Sequence, residues 1–123
     1  MPKDVFVFIE CKNGFVRKVS FELLSKAKEL TEQLLSSTYA VIIGGDTEQG
    51  VGQLKEFADK VIVVKNEKLN NYRYDTYAFV MEQLIKKYKP FAVFGGSTVT
   101  GKDIFPRLAA RFDGAIVSDA VGV

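Results

Sequence analysis

Residues 91–105, Phe91-Ala92-Val93-Phe94-Gly95-Gly96-Ser97-Thr98-Val99-Thr100-Gly101-Lys102-Asp103-Ile104-Phe105, run an apolar strand, a glycine-rich loop and a helix start together in one line. Phe91 to Phe94 carries no polar side chain, which suits a strand covered on both faces. Gly95 and Gly96 break it. Ile104, Phe105, Leu108, Ala109 and Phe112 then recur at helical spacing. A strand that feeds a helix through a short loop is part of a βαβ unit, and such units imply a parallel sheet with right-handed crossovers.

The same alternation extends towards both ends of the chain. Residues 4–10 form a Val- and Phe-rich run that reads as a buried strand, followed by turn residues 12–14 and a short extended segment over 15–19. A helix fits 21–35, with Ser20 as N-cap and Glu22 in the first turn, where it complements the helix dipole. Leu23, Leu24, Ala27, Leu30, Leu34 and Leu35 form its apolar face. Tyr39 to Ile43 is a second strand ending at Gly44-Gly45-Asp46, and a short helix is expected around Gln53 to Ala58. Val61 to Val64, four β-branched residues without alternation, reads as a central strand. After a polar connection, a helix from Asp75 places Tyr77, Val80, Met81, Leu84, Ile85 and Tyr88 on one face and stops before Pro90. Ala115 to Val117 supplies the fifth strand. Residues 1–123 are thus expected to form one α/β domain: an open, mainly parallel twisted sheet of about five strands with helices on both faces.

Composition narrows the chemistry. With 47% hydrophobic and 26% charged residues, the chain is typical of globular proteins, and it is long enough to bury a core. No apolar run approaches the roughly 20 residues that span a bilayer, and the N-terminal run is too short for a signal peptide, so a cytoplasmic protein without membrane insertion is expected. A net charge of +2, with bases scattered among acids, gives no nucleic-acid footprint. There is no histidine and one cysteine, Cys11. That removes Ser-His-Asp and Cys-His engines, disulfides within the chain and cysteine zinc clusters. No metal site is expected.

Open parallel sheets bind ligands beyond the carboxyl ends of their strands, where the glycine-rich loop falls. Gly96-x4-Gly101-Lys102 matches most of a P-loop, yet Asp103 stands where Ser or Thr should hold magnesium, and its carboxylate would repel phosphate. Structurally, Thr100 or Asp103 could cap the helix, with Asp103 favoured because Pro106 then falls near its first turn; a helix starting at Gly101 should kink there.

The segment Gly95 to Arg111 resembles the "GATxxGRDLAPRLAARL" stretch of electron-transfer flavoprotein alpha subunits. The opening VFVFIECKNGFVRKVSFELL is similar to that family's first strand, turn and "VSLELL" helix. Residues 58–64 resemble its "GADKVLVV" strand, with Phe57 in place of a glycine. Leu69, Tyr72, Tyr77, Lys89 and Pro90 follow its "L…Y…Y…KP" pattern, and residues 116–119 match "LVTDV". Cys11 replaces a frequent histidine and Lys102 an arginine.

This resemblance implies a Rossmann-like, adenine-nucleotide-hydrolase-like fold and the N-terminal domain of a longer alpha subunit. The FAD-binding C-terminal domain would lie outside these residues, so no FAD contact is expected within 1–123. It also implies a beta subunit of related fold, and a heterodimer that takes electrons from flavin dehydrogenases to a quinone oxidoreductase or other acceptor. The mostly apolar 115–123 stretch, with no helix after it, fits a chain that continues or is covered by another. The domain would be structural and docking, not enzymatic, with Tyr72, Tyr74 and the 95–103 loop as contact candidates. The alternative is a stand-alone adenine-nucleotide module, with Glu10, Gly44, Gly45 and Asp46 at the adenosine and Gly95, Gly96, Ser97, Thr98 and Lys102 around phosphate. A small-molecule enzyme would depend on Asp46, Asp103 or Lys102.

Overall fold

The computed structural model describes residues 3–12, 14–69, 73–96, 98–112 and 116–118. Val5–Phe8 (β1) leads into a two-stranded antiparallel hairpin, Cys11–Lys12 (β2) and Phe15–Val16 (β3), whose turn needs Gly14 at φ 84°. Lys18–Leu34 (α1), Thr38–Gly44 (β4), Glu48–Leu54 (α2) and Lys60–Lys65 (β5) follow. A 3₁₀ turn at Glu67–Leu69 precedes Tyr74–Tyr88 (α3), Ala92–Gly95 (β6), Val99–Arg111 (α4) and Ile116–Ser118 (β7).

Five of these strands form one parallel sheet in the order β5-β4-β1-β6-β7. Val5 pairs with Thr38 on one side and Ala92 on the other, so β1 is central. The chain winds outward from β1 through β4 to β5, then returns to β6 and winds the other way. This reversal makes the open, doubly wound α/β fold, with its crevice beyond the carboxyl ends of the strands.

Alternate side chains of β1 enter two cores, which explains its unbroken apolar run. Val5 and Val7 pack with Leu23, Leu24 and Ala27 of α1 and Leu54 of α2. Phe6 and Phe8 pack with Tyr77, Met81 and Ile85 of α3 and with Ile104, Phe105 and Leu108 of α4. Helices therefore cover both faces, as patterning requires.

The structure corrects several sequence expectations. Helix α1 begins at Lys18 after Arg17, and neither Ser20 nor Glu22 serves its start. Ser20 is buried, and its hydroxyl accepts the Glu10 N–H at 2.8 Å, so tertiary demand at the end of β1 overrides capping preference. Leu35 leaves the apolar face: it is the left-handed C-cap of α1, at φ 53° and 94% exposed. Helix α2 runs over Glu48–Leu54, not Gln53 to Ala58, starting after Thr47, three positions beyond the end of β4. The β5 strand is an edge, not a central strand; Val63 is 43% exposed, and only β4 pairs with it. Its apolar run reflects partial cover from both cores, through Val61 on one side and Ile62 and Val64 on the other. The fifth strand lies one residue later than expected, and residues 119–123 fall outside the described residues.

Candidate functional site

The loop after β6 is held by close packing. Neither Thr100 nor Asp103 caps α4: Thr98 does, its Oγ1 accepting the Gly101 N–H at 3.0 Å. The helix therefore begins early enough to run through Pro106, which costs the Lys102 carbonyl the N–H that residue 106 would otherwise donate. Helix dipole, cap and β6 all converge here, where an anion could sit.

The loop glycines are set by packing. None of Gly95, Gly96 and Gly101 has a positive φ, so none is required by backbone conformation. Each is required by space. A Cβ on Gly95 would strike the Phe105 ring, and one on Gly101 would strike the Gly96 carbonyl oxygen. A Cβ on Gly96 would lie 2.8 Å from Val19 Cγ2 and 3.5 Å from Glu10 Oε2. The room that small residues leave is thus filled by the chain itself. The Phe105 ring, a Val19 methyl group and the Glu10 carboxylate take up the space that side chains at Gly95 and Gly96 would need.

Glu10 ties these parts together. It is 5% exposed at the end of β1, and its Oε1 accepts Arg17 Nη1 at 3.1 Å. Its Oε2 accepts the Thr98 hydroxyl at 2.7 Å. One carboxylate thereby joins β1, the start of α1 and the start of α4. Sequence reasoning selected Glu10 and Thr98 but not Arg17, whose place opposite Glu10 follows from the β2–β3 hairpin that folds residues 10–17 back on themselves; the Arg17 N–H also donates to the Glu10 carbonyl at 2.8 Å.

Beside this junction, at the carboxyl ends of β1 and β4, lies a cleft of about 420 Å³. Glu10, Gly44, Gly45 and Asp46 line it, as do Cys11, Lys12, Thr47, Tyr77 and Thr100, with Phe8, Ile9, Ile42, Ile43 and Leu69 beneath. The structure therefore brings together four of the residues expected around an adenosine. Of the expected phosphate group, Thr98 reaches them, its hydroxyl donating to Glu10 Oε2 at 2.7 Å. Gly95 and Gly96 are buried behind the junction, Lys102 is exposed on α4, and Ser97 lies outside the described residues. Tyr74 is 51% exposed with the Arg107 guanidinium 5.9 Å from its ring centroid, whereas Tyr72 lies outside the described residues.

Two titratable groups of the cleft, Cys11 and Tyr77, are shifted upward. Burial, reinforced by the Glu10 carboxylate, raises the Cys11 thiol above its ordinary value, so it stays protonated and a poor nucleophile near neutrality. Burial also raises Tyr77, whose hydroxyl donates to the Leu69 carbonyl at 2.8 Å. Among the described residues, no group of three or more Cys, Asp or Glu side chains could hold a metal, and no helix is long and apolar enough to cross a membrane.

Residues 5–123 match the electron transfer flavoprotein domain family. The chain is 39% identical over 122 residues to an electron transfer flavoprotein subunit alpha of Clostridium acetobutylicum, covering 98% of this chain and 36% of that one. It is 36% identical to a subunit of the same name from Thermoanaerobacterium thermosaccharolyticum, covering 98% and 37%. It is 33% identical to the lactate dehydrogenase (NAD(+),ferredoxin) subunit LctC of Acetobacterium woodii, covering 95% and 28%. The chain thus spans between 28% and 37% of the length of these relatives. A universal stress protein from Archaeoglobus fulgidus shares the fold, with a TM-score of 0.57 at 12% identity over 94% of this chain and 91% of that one.

Proposed function

The chain belongs to the electron transfer flavoprotein domain family, as an alpha-type domain, and from that premise we propose that it is the N-terminal structural and docking domain of an electron-transfer flavoprotein alpha subunit. It pairs with a beta subunit of related fold and positions a flavin domain whose residues lie outside 1–123. The assembled heterodimer carries electrons from flavin dehydrogenases to a quinone oxidoreductase or another acceptor. This domain performs no bond chemistry.

The carrying observation is the pattern of likeness: 98% of this chain aligns with only 36% of an alpha subunit. Relatives named as a lactate dehydrogenase subunit and as an acryloyl-CoA reductase electron transfer subunit favour a donor or acceptor that is itself a dehydrogenase or reductase complex.

The test mixes the purified 123-residue chain with FAD and, separately, with an electron-transfer flavoprotein beta subunit. Expected are no flavin retained after gel filtration and 1:1 co-elution with the beta subunit. One flavin held per chain overturns the reading. The cleft carries the second reading, a stand-alone nucleotide module: a saturable rise in Tm with AMP, without beta-subunit binding, would establish it instead.

A further inference from the structure

The amino ends of the strands, opposite the cleft, present lysines mounted on aromatic rings. The rings of Phe6, Tyr39 and Tyr88 form a contiguous cluster, with centroids 5.7, 5.8 and 6.3 Å apart. Lys60 Nζ lies 5.5 Å from the Tyr39 centroid, and Lys87 Nζ lies 5.4 Å from that of Tyr88. Beside them, Lys3 Nζ lies 5.4 Å from the Phe91 centroid. Phe91 and Tyr88 stay 45% and 39% exposed. None of these lysines enters an ion pair among the described residues.

We propose that this end of the sheet docks the acidic surface of a partner protein, with the ammonium groups of Lys3, Lys60 and Lys87 meeting its carboxylates. Lys87 alone could be explained as a cation complementing the C-terminus of α3. Lys3 and Lys60 cannot, because they precede β1 and open β5. Placing each ammonium over a ring restricts a side chain that is otherwise mobile, which lowers the entropy cost of binding an anion. Among the described residues, the adjacent acids Asp4 and Asp59 form no ion pair with these lysines. Asp4 accepts the Ser37 N–H at 3.0 Å and Asp59 the Thr38 N–H at 2.8 Å, so both carboxylates serve the strand ends.

The geometry favours a protein over other polyanions. Single-stranded nucleic acid needs open ring faces on which bases stack. Here lysines occupy the faces of Phe91, Tyr39 and Tyr88. An anionic membrane is gripped by an amphipathic helix with a buried apolar face, whereas this surface is made of strand ends and helix C-termini. Half-exposed aromatic edges among fixed cations suit a rim of Glu and Asp around an apolar contact.

The proposal, which does not depend on the reading above, is tested by titrating the chain with a random glutamate–tyrosine copolymer, with oligothymidylate and with phosphatidylserine vesicles. Saturable, salt-weakened binding of the copolymer is expected. Substituting Lys3→Gln, Lys60→Gln and Lys87→Gln together should weaken it about tenfold, as the loss of three surface charge contacts implies. A control of equal charge on α1, Lys18→Gln, Lys26→Gln and Lys28→Gln, should change it less than about twofold. All six side chains are exposed, so urea melts should confirm unchanged folding. No copolymer binding, equal loss in the control, or tighter binding to oligothymidylate or vesicles would overturn the proposal.

Discussion

Replacing Gly95 by alanine should destabilise the protein without touching any ligand, because the loop glycines exist for packing. The added methyl group would overlap three ring atoms of Phe105. That ring cannot swing outward: it is 1% exposed and lies edge-on to Phe8, with centroids 6.1 Å apart. Overpacking a full core costs about 1–3 kcal/mol, and the lack of an escape route here argues for the upper end, about 3 kcal/mol. Against the roughly 6–18 kcal/mol expected of a domain this size, such a loss lowers Tm by something like 10 °C. Urea denaturation read by circular dichroism measures it. Adding Phe105→Leu should restore part of the loss, and the double-mutant cycle should give a coupling of about 1 kcal/mol or more. Gly101→Ala should be at least as damaging but not rescued this way, since its obstacle is the Gly96 backbone carbonyl. If Gly95→Ala changes stability by less than about 0.5 kcal/mol, the packing account is wrong.

Thr98→Val should cost about 1–3 kcal/mol, because it removes the cap of α4 and leaves Glu10 Oε2 without its hydroxyl donor, whereas Thr98→Ser should retain most of the stability; urea melts of the pair decide this. Leu35→Gly should stabilise by about 0.5–1 kcal/mol, since a left-handed residue loses its Cβ strain and the side chain buries almost nothing; a lower Tm would contradict it. Cys11 should react with iodoacetamide with a pH midpoint above that of the urea-unfolded chain. Because the folded thiol binds its proton more tightly than the unfolded one, the native state loses stability as pH rises past the unfolded thiol's pKa, and equal midpoints in both states would refute the upward shift.

Much of the architecture was legible because it rests on burial. The β1 run, with residues facing alternately into two cores, could only be a strand covered on both sides, and the α3 face of Tyr77, Met81 and Ile85 packs as its spacing implies. The failures fall where a long-range partner decides. Ser20 looks like a cap, but the Glu10 N–H, ten residues away, claims its hydroxyl. Val61–Val64 looks central because hydrophobicity reports cover and not neighbours, and an edge strand of an α/β sheet still has helices near both faces. At the candidate site, Glu10, Gly44, Gly45 and Asp46 were found by their position at strand ends. Arg17 and Tyr77 were missed as cleft residues, because only the hairpin and the α3 packing carry them there.

The glycine-rich loop shows how a motif's glycines can be placed by packing. In a phosphate site, glycines clear a path, and the helix N-terminus with its N–H groups waits for an anion. Here both halves of that device are present, and the chain completes the circuit itself. The Glu10 carboxylate arrives through the Thr98 hydroxyl at the start of α4, balanced by Arg17 and only 5% exposed. A negative charge in that position favours the positive end of the helix. The glycines then serve the opposite purpose from the one their pattern suggests. They let Phe105, Val19 and the Gly96 carbonyl close the space where β1, α1, β6 and α4 meet.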